Sequence, residues 1–331
     1  MAGHNMEGTM TKATLESTAF LFPGQGSQTV GMGKELAAMY PVAQETFDEA
    51  DAALGYKLSQ VCWEGPEDKL KLTEITQPAI LTVSVAAFRV LESMGYGPSF
   101  VAGHSLGEYS AHVAAGTISF TDAVKTVRNR GKYMQEAVPV GVGAMAAILA
   151  LPLEKVEEVC REAAQDGACC QPGNINSDGQ VVISGSTAAV ERAAELAKQK
   201  GAKRAVMLPV SAPFHCALMQ PAQDRLAADL KALTFHPMEV PLVTNVDAEV
   251  IQSPEKARDA LIRQVTGSVR WEQSMRALIA KGVHTFIEVG PGKVLSGLMR
   301  QIDRSKTALN VEDDASLQKT VNHFAGASTA Q

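Results

Sequence analysis

The reading of the fold turns on one stretch, Ser99-Phe100-Val101-Ala102-Gly103-His104-Ser105-Leu106-Gly107-Glu108. Ser99 to Ala102 predicts a short strand. A helix follows from about Leu106 to Ala115 and is stopped by Gly116. Between them lies GxSxG, and strand, turn and helix in that order are the context of a nucleophile elbow. Glycine at 103 and 107 lets the backbone bend without a Cβ clash, so the Ser105 hydroxyl projects from the bend. The new helix aims its free N–H groups and the positive end of its dipole at the same spot. A tetrahedral oxyanion on Ser105 can then bond the Leu106 N–H. GxSxG alone recurs by chance as a Gly-rich turn; the flanking strand and helix favour the catalytic reading.

Upstream of the elbow, Ala19 to Phe22 reads as a buried strand entering the Gly-rich loop Pro23 to Gly33. Helical patterns run through Leu36, Met39 and Tyr40, then over about 42–53 and 77–94. Thr121 is placed to cap another helix reaching about Ala137. Residues 142–210 have a different texture. Strands at Gly143–Leu149, about 168–176, Gln180–Ser184 and Ala205–Val210 alternate with helices at Leu153–Gln165 and Thr187–Lys200. That βαββαβ order is ferredoxin-like and reads as a subdomain, 141–211, inserted into a larger α/β domain. The large domain occupies 19–140 and resumes over 212–312. Its second part carries a strand at 240–245, helices at 254–265 and 270–281, a strand at 284–289 and a helix at 293–302. Residues 1–18 read as a polar, unstructured leader or an expression remnant, with Met6 and Met10 as alternative starts. Residues 313–331 read as a polar tail that frays.

Composition removes several function classes. A chain of 331 residues, 46% hydrophobic, can bury one large core, or a large and a smaller one. A net charge of −6 without a basic block excludes nucleic-acid binding, which needs clustered cations. No apolar run reaches the roughly 20 residues of a membrane-spanning helix. Cys62, Cys160, Cys169, Cys170 and Cys216 are odd in number, lack framework spacing and fit a reducing cytoplasm. HExxH and paired CxxC are absent, so no metal is expected. Gly24-Gln-Gly26 lacks the third glycine of a dinucleotide fingerprint, since Thr29 stands there. Gly141-Val-Gly143-Ala-Met-Ala146 precedes a strand instead of opening a helix, and Gly290-Pro-Gly-Lys293 is not a P-loop. These are turns, and no cofactor is implied.

A serine nucleophile needs a base. His4 and His323 lie in the tails. Side chains adjacent at such a bend diverge, which makes His104 a packing or orienting residue. His112 lies about two turns along the helix, roughly 10 Å away. His236 precedes Pro237 and His284 opens a strand. His215 follows strand 205–210 and the rigid Pro213, at a strand's C-terminal end where α/β sites gather. Position alone makes it the best of seven. Asp247 and Asp259 are candidate partners, but neither gives the Ser, Asp, His order of α/β-hydrolases. A backbone carbonyl can also hold a histidine tautomer. On helix 122–136, Arg128 and Arg130 flank the apolar stripe Val124, Val127, Gly131 and Met134 at similar angles, so periodicity does not choose between them.

Phe22-Pro-Gly-Gln-Gly-Ser-Gln28, Gly103-His-Ser-Leu-Gly-Glu108, Arg130-Gly-Lys-Tyr-Met-Gln135, Phe214-His215-Cys-Ala-Leu-Met219 and Glu288-Val-Gly-Pro-Gly292 together resemble the malonyl-CoA:acyl carrier protein transacylase family. The likeness runs co-linearly over about 19–312. It implies an α/β-hydrolase-like large domain with an inserted ferredoxin-like subdomain. It also implies transfer of malonyl from malonyl-CoA to the phosphopantetheine thiol of an acidic acyl carrier protein, by ping-pong through a malonyl-serine, for fatty-acid extension. By the resemblance Ser105 is the nucleophile and His215 the general base. Gln25 and Leu106 supply the oxyanion-hole N–H groups, Arg130 clamps the substrate carboxylate, and the Gln264 main-chain carbonyl orients the histidine. Arg130 suits that duty because its planar fork binds a carboxylate bidentately. Cys216 departs from the serine frequent at that position.

The rival readings are a serine thioesterase or hydrolase, an acyltransferase serving polyketide synthesis, and a non-catalytic module that docks a carrier protein. Lys198, Lys200, Lys203 and Arg204 on the insert are the candidate basic patch for an acidic carrier.

Overall fold

The computed structural model describes residues 13–165, 167–210 and 212–328. It contains two sheets. The first runs β10-β9-β1-β2-β7-β8, with β1 at Ala13–Phe22, β2 at Tyr96–Gly103, β7 at Leu242–Val243, β8 at Val250–Ile251, β9 at Thr285–Val289 and β10 at Thr307–Val311. All its pairings are parallel except β7 with β8. The second runs β4-β5-β3-β6 and is antiparallel, with β3 at Gly143–Leu149, β4 at Cys170–Ser177, β5 at Gln180–Ser186 and β6 at Arg204–Met207. This is the α/β-hydrolase-like architecture with a ferredoxin-like insert that the sequence predicts.

A parallel strand covered on both faces must be apolar at every position, because alternate side chains enter different cores. In β1, Phe20 and Phe22 enter one core with the helix Thr73–Ser93, whereas Ala19 and Leu21 enter the other with Trp271, Met275 and Phe286. Thr73–Ser93 is the one helix among the described residues long and apolar enough to cross a membrane, and 89% of that window is buried inside the protein. The insert has its own core, in which Val156, Val159, Val190 and Ala193 of its two helices cover Ile148, Val181 and Ile183.

Two junctions position the site. In the β1–β2 register Phe22 pairs with Gly103, which brings the loop after Phe22 beside the turn after Gly103. The insert is stitched to the large domain at the connection between the helices Pro254–Gln264 and Trp271–Ala280, where the Ile175 N–H donates to the Val269 carbonyl (2.8 Å) and the Val269 N–H donates to the Gly173 carbonyl (2.8 Å). The site therefore lies on the seam between the two sheets.

Several expectations are corrected. Residues 1–12 and His4 lie outside the described residues, but the strand expected from Ala19 begins at Ala13, where Ala13, Thr14 and Leu15 pair with Tyr96, Gly97 and Pro98. Backbone pairing needs no apolar side chains, which is why composition hid it. The expected fraying tail instead contains the helix Asp314–Ser328, with Leu317 buried. Reciprocal bonds fix its start: Ser316 N–H to Asp313 Oδ1 (2.8 Å) and Asp313 N–H to Ser316 Oγ (3.1 Å). The cap of helix Phe120–Glu136 is Ser119, which accepts from the Asp122 N–H at 3.1 Å, while the Thr121 hydroxyl donates to Glu49. The strand expected over 240–245 shrinks to Leu242–Val243.

Candidate active site

The strand–turn–helix around Ser105 forms as the sequence predicts, and sterics explain its glycines. A Cβ on Gly103 would meet the Gly107 carbonyl carbon at 1.9 Å, and one on Gly107 would meet the Phe22 carbonyl oxygen at 2.0 Å. Such overlaps leave no alternative to glycine where the backbones cross this closely. Ser105 sits at φ +51°, in the left-handed region. A non-glycine residue held there costs on the order of 1–3 kcal/mol and persists only under firm constraint. Here the constraint is polar: the Ser105 N–H donates to Asn245 Oδ1 at 2.7 Å, and its carbonyl accepts from Gln264 Nε2 at 3.0 Å.

His215 reaches the same point across 110 positions of chain, its Nε2 lying 2.7 Å from Ser105 Oγ. It too is left-handed, at φ +59°. Its Nδ1 lies 2.9 Å from the Gln264 carbonyl and 3.2 Å from the Gly267 carbonyl. Carbonyl oxygens only accept, so Nδ1 carries the proton and Nε2 presents a bare lone pair to the serine hydroxyl. Burial, and then the Arg130 cation, push His215 down to about 3, far below the usual imidazole range. At neutral pH the ring is an uncharged acceptor.

Arg130 is 1% exposed and donates from Nη1 to Gln77 Oε1 (2.8 Å) and from Nη2 to Ser105 Oγ (3.1 Å) and Gln264 Oε1 (3.1 Å). Every one of these acceptors is neutral, and its Nε has no acceptor among the described residues. Burial pulls its pKa down. A guanidinium taken out of water without an anion is costly, and a ligand carboxylate would relieve that cost. Arg128, which periodicity could not separate from Arg130, points elsewhere, over the Tyr56 ring at 5.4 Å.

Gln25 lies on the loop that the β1–β2 register carries to the turn, and its side chain accepts from Gln77 Nε2 at 3.1 Å. Neither its main-chain N–H nor that of Leu106 finds an acceptor among the described residues. The two candidate aspartates do not serve the histidine: Asp247 and Asp259 both pair with Arg263. His104 bonds Asn176 Oδ1 through Nε2 (2.9 Å) and packs its ring at a tilt of 56° against Trp271, an orienting position. His112 is buried with both ring nitrogens unpartnered among the described residues. His236 and His284 are exposed and away from the site.

Sequence reasoning missed Glu108, Asn245, Gln77, Gln171 and Gly267. Glu108 is fully buried, and burial pushes its carboxyl up to about 7 against the pull of the Asn245 N–H and the Gln264 amide. Gln171 Nε2 donates to the His215 carbonyl (3.4 Å) and the Thr266 carbonyl (3.3 Å), while its Oε1 accepts from the Ala217 N–H (3.2 Å). The available signal was weak: Gln77 sits among the polar residues Thr73, Glu74 and Thr76 at the start of helix 73–93, a stretch that reads as ordinary helix N-terminus. No group of His, Cys, Asp and Glu able to hold a metal occurs among the described residues.

The acyl transferase domain family matches residues 19–326. The chain is 52% identical over 300 residues to the malonyl CoA-acyl carrier protein transacylase of Escherichia coli, covering 90% of this chain and 97% of the relative. The crystal structure of an acyl carrier protein S-malonyltransferase from Vibrio cholerae superposes with a TM-score of 0.90 at 50% identity, covering 92% of this chain and 99% of that one. A malonyl-transacylase in complex with its type II PKS acyl-carrier protein superposes with a TM-score of 0.90 at 48% identity, covering 92% and 99%.

Proposed function

The chain belongs to the acyl transferase domain family, and from that premise we propose that it moves malonyl from malonyl-CoA to the thiol of an acyl carrier protein, for fatty-acid extension. The observation that carries the proposal is the meeting of three groups. Ser105 Oγ lies 2.7 Å from a neutral imidazole nitrogen and 3.1 Å from a buried guanidinium that has only neutral partners. The first pair suits acyl transfer, and the third group suits an acyl chain that ends in a carboxylate.

In the proposed sequence His215 Nε2 takes the Ser105 proton as Oγ attacks the thioester carbonyl carbon. The Gln25 and Leu106 N–H groups hold the oxyanion, and losing one such donor costs on the order of 100-fold or more in rate. The carbon–sulfur bond breaks, His215 returns its proton to the departing sulfur, and malonyl remains on Ser105 as an ester. A phosphopantetheine thiol of the carrier then gives its proton to His215 and attacks the ester. The ester carbon–oxygen bond breaks and Ser105 recovers the proton. The Gln264 carbonyl keeps Nδ1 protonated throughout, and Arg130 holds the malonyl carboxylate.

Carrier proteins of this kind are acidic, which calls for a basic docking face. On the insert, Lys198 pairs with Glu195, and Lys200 with Glu158 and Glu162, leaving Lys203 and Arg204 as the candidate cations. The complex of a related malonyl-transacylase with a type II PKS carrier keeps polyketide supply as the second reading of the pathway. The free, unbridged thiols suit the cytoplasm as the place of action.

Ser105→Ala tests the core of the proposal. It should abolish both transfer and labelling by a serine-directed reagent; undiminished transfer would refute the reading. The thioesterase alternative is separated by omitting the carrier, because a hydrolase continues to release coenzyme A into water.

A further inference from the structure

The amides that join the site can be oriented without ambiguity. Asn245 Oδ1 accepts from the Ser105 N–H (2.7 Å), and its Nδ2 donates to the Gly103 carbonyl (2.7 Å). Gln264 Nε2 donates to the Ser105 carbonyl (3.0 Å), and its Oε1 accepts from Arg130 (3.1 Å). Each amide faces a main-chain or guanidinium partner of fixed polarity, so exchanging oxygen for nitrogen would break bonds at both ends.

A single carboxylate oxygen ties these amides together. Glu108 Oε2 accepts from the Asn245 main-chain N–H at 3.0 Å and from Gln264 Nε2 at 2.8 Å. Gln264 Nε2 also approaches Asn245 Oδ1 at 3.2 Å. All three residues are completely buried. They come from different elements: Glu108 from the helix Gly107–Ala114, Asn245 from just beyond β7, and Gln264 from the last turn of the helix Pro254–Gln264. Gln264 is also the residue whose main-chain carbonyl holds His215 Nδ1. The strained serine and the histidine thus share one clamp, closed by Glu108 and Asn245, neither of which touches the reacting atoms.

We propose that Glu108 and Asn245 are positioning residues for acyl transfer, locking the Ser105 turn to Gln264 so that the serine hydroxyl and His215 stay in register through both half-reactions. The inference rests on the reading that Ser105 carries the acyl group. Glu108 also carries charge that Arg130 feels, and Glu108→Gln separates the two roles: Oε1 has no partner among the described residues, so an amide keeps both bonds while removing the charge. Misplacement of reacting groups by about 1 Å costs on the order of 100-fold.

The test compares Asn245→Ala, Glu108→Ala and Glu108→Gln with the parent enzyme. Melting temperatures are measured first, and malonyl transfer is assayed well below them. Asn245→Ala and Glu108→Ala should lower kcat by roughly 10- to 100-fold with KM within about twofold, because neither residue bonds Arg130 directly. Glu108→Gln should stay within about threefold of the parent. If one alanine variant does not fold, the other reports the loss. Alanine variants within threefold of the parent would overturn the inference, as would Glu108→Gln failing as badly as Glu108→Ala. A parent that forms no ester on Ser105 would instead break the reading beneath it.

Discussion

Two arginines define two opposite uses of the same side chain. Arg263 is half-exposed and fully provided for, donating from Nη1 and Nη2 to the two oxygens of Asp247 (2.8 and 2.7 Å) and from Nε to Asp259 (2.7 Å). Arg130 is buried and donates only to two amide oxygens and a serine hydroxyl. The pKa shifts have opposite signs: the aspartates raise that of Arg263, and burial lowers that of Arg130. A structural arginine brings anions into direct contact, whereas Arg130 touches no carboxylate among the described residues and feels Glu108 only across the Gln264 amide. The contrast also explains why the aspartates suggested for His215 are unavailable, since both already serve Arg263.

The largest expected effect comes from removing the unpaired cation. Truncating one partner of a buried charge pair costs about 2–5 kcal/mol, so Arg130→Ala should lower kcat/KM for malonyl-CoA by roughly 30- to several-thousand-fold. Acetyl-CoA, which offers no carboxylate, should be used as well as before or better. Steady-state assays with both thioesters check this, and equal losses would reduce Arg130 to a structural residue. Gln77→Ala removes the acceptor of Arg130 Nη1 and should raise KM for malonyl-CoA by roughly 10- to 150-fold, in line with the 1.5–3 kcal/mol of a hydrogen bond to a charged group.

The same cation predicts a pH signature. His215 acts as a base only when neutral, so activity falls as pH drops through its pKa, which burial and Arg130 place at about 3 in the free enzyme. A carboxylate bound to Arg130 cancels part of that repulsion and moves the pKa up. The acid limb of kcat should therefore lie at higher pH than the acid limb of kcat/KM. Coincident limbs would show that substrate charge is not felt at His215.

Buried His112 tests burial without chemistry. With no partner for either ring nitrogen among the described residues, its pKa is lowered by burial to about 3. Its neutral form contributes stability above pH 6.5 that is lost as pH falls toward 3, with a slope of about 1.4 kcal/mol per pH unit. His112→Leu should flatten the acid side of the melting-temperature profile and leave transfer unchanged at neutral pH. The smallest effect belongs to Arg263→Ala: exposed ion pairs contribute about 0–1 kcal/mol, so melting should shift little and transfer should persist.

How much of this was legible depended on distance along the chain. The elbow was readable because strand, glycines and helix are contiguous and each obeys a local steric rule. The serine–histidine meeting was not, because 110 residues and an inserted sheet separate the partners. The insert itself was legible, since its alternating strands and helices keep their own core. Helical periodicity left Arg128 and Arg130 equivalent; the difference lies in what each meets, the Tyr56 ring or the serine. Glu108, Asn245 and Gln77 escaped notice because a buried polar residue announces itself only when its partners are known. The two-residue strand β7 and the polar start of β1 failed for the converse reason, being held by backbone pairing with little side-chain pattern.

Whether Ser105 carries the acyl group is decided by rapid-quench intact-mass spectrometry of the enzyme mixed with malonyl-CoA and no carrier protein. The expected result is a burst of one malonyl ester per chain, mapped to Ser105, that persists until a phosphopantetheinylated carrier is added and then transfers to it. Steady release of coenzyme A without a persisting ester, or an ester on any other residue, would contradict it.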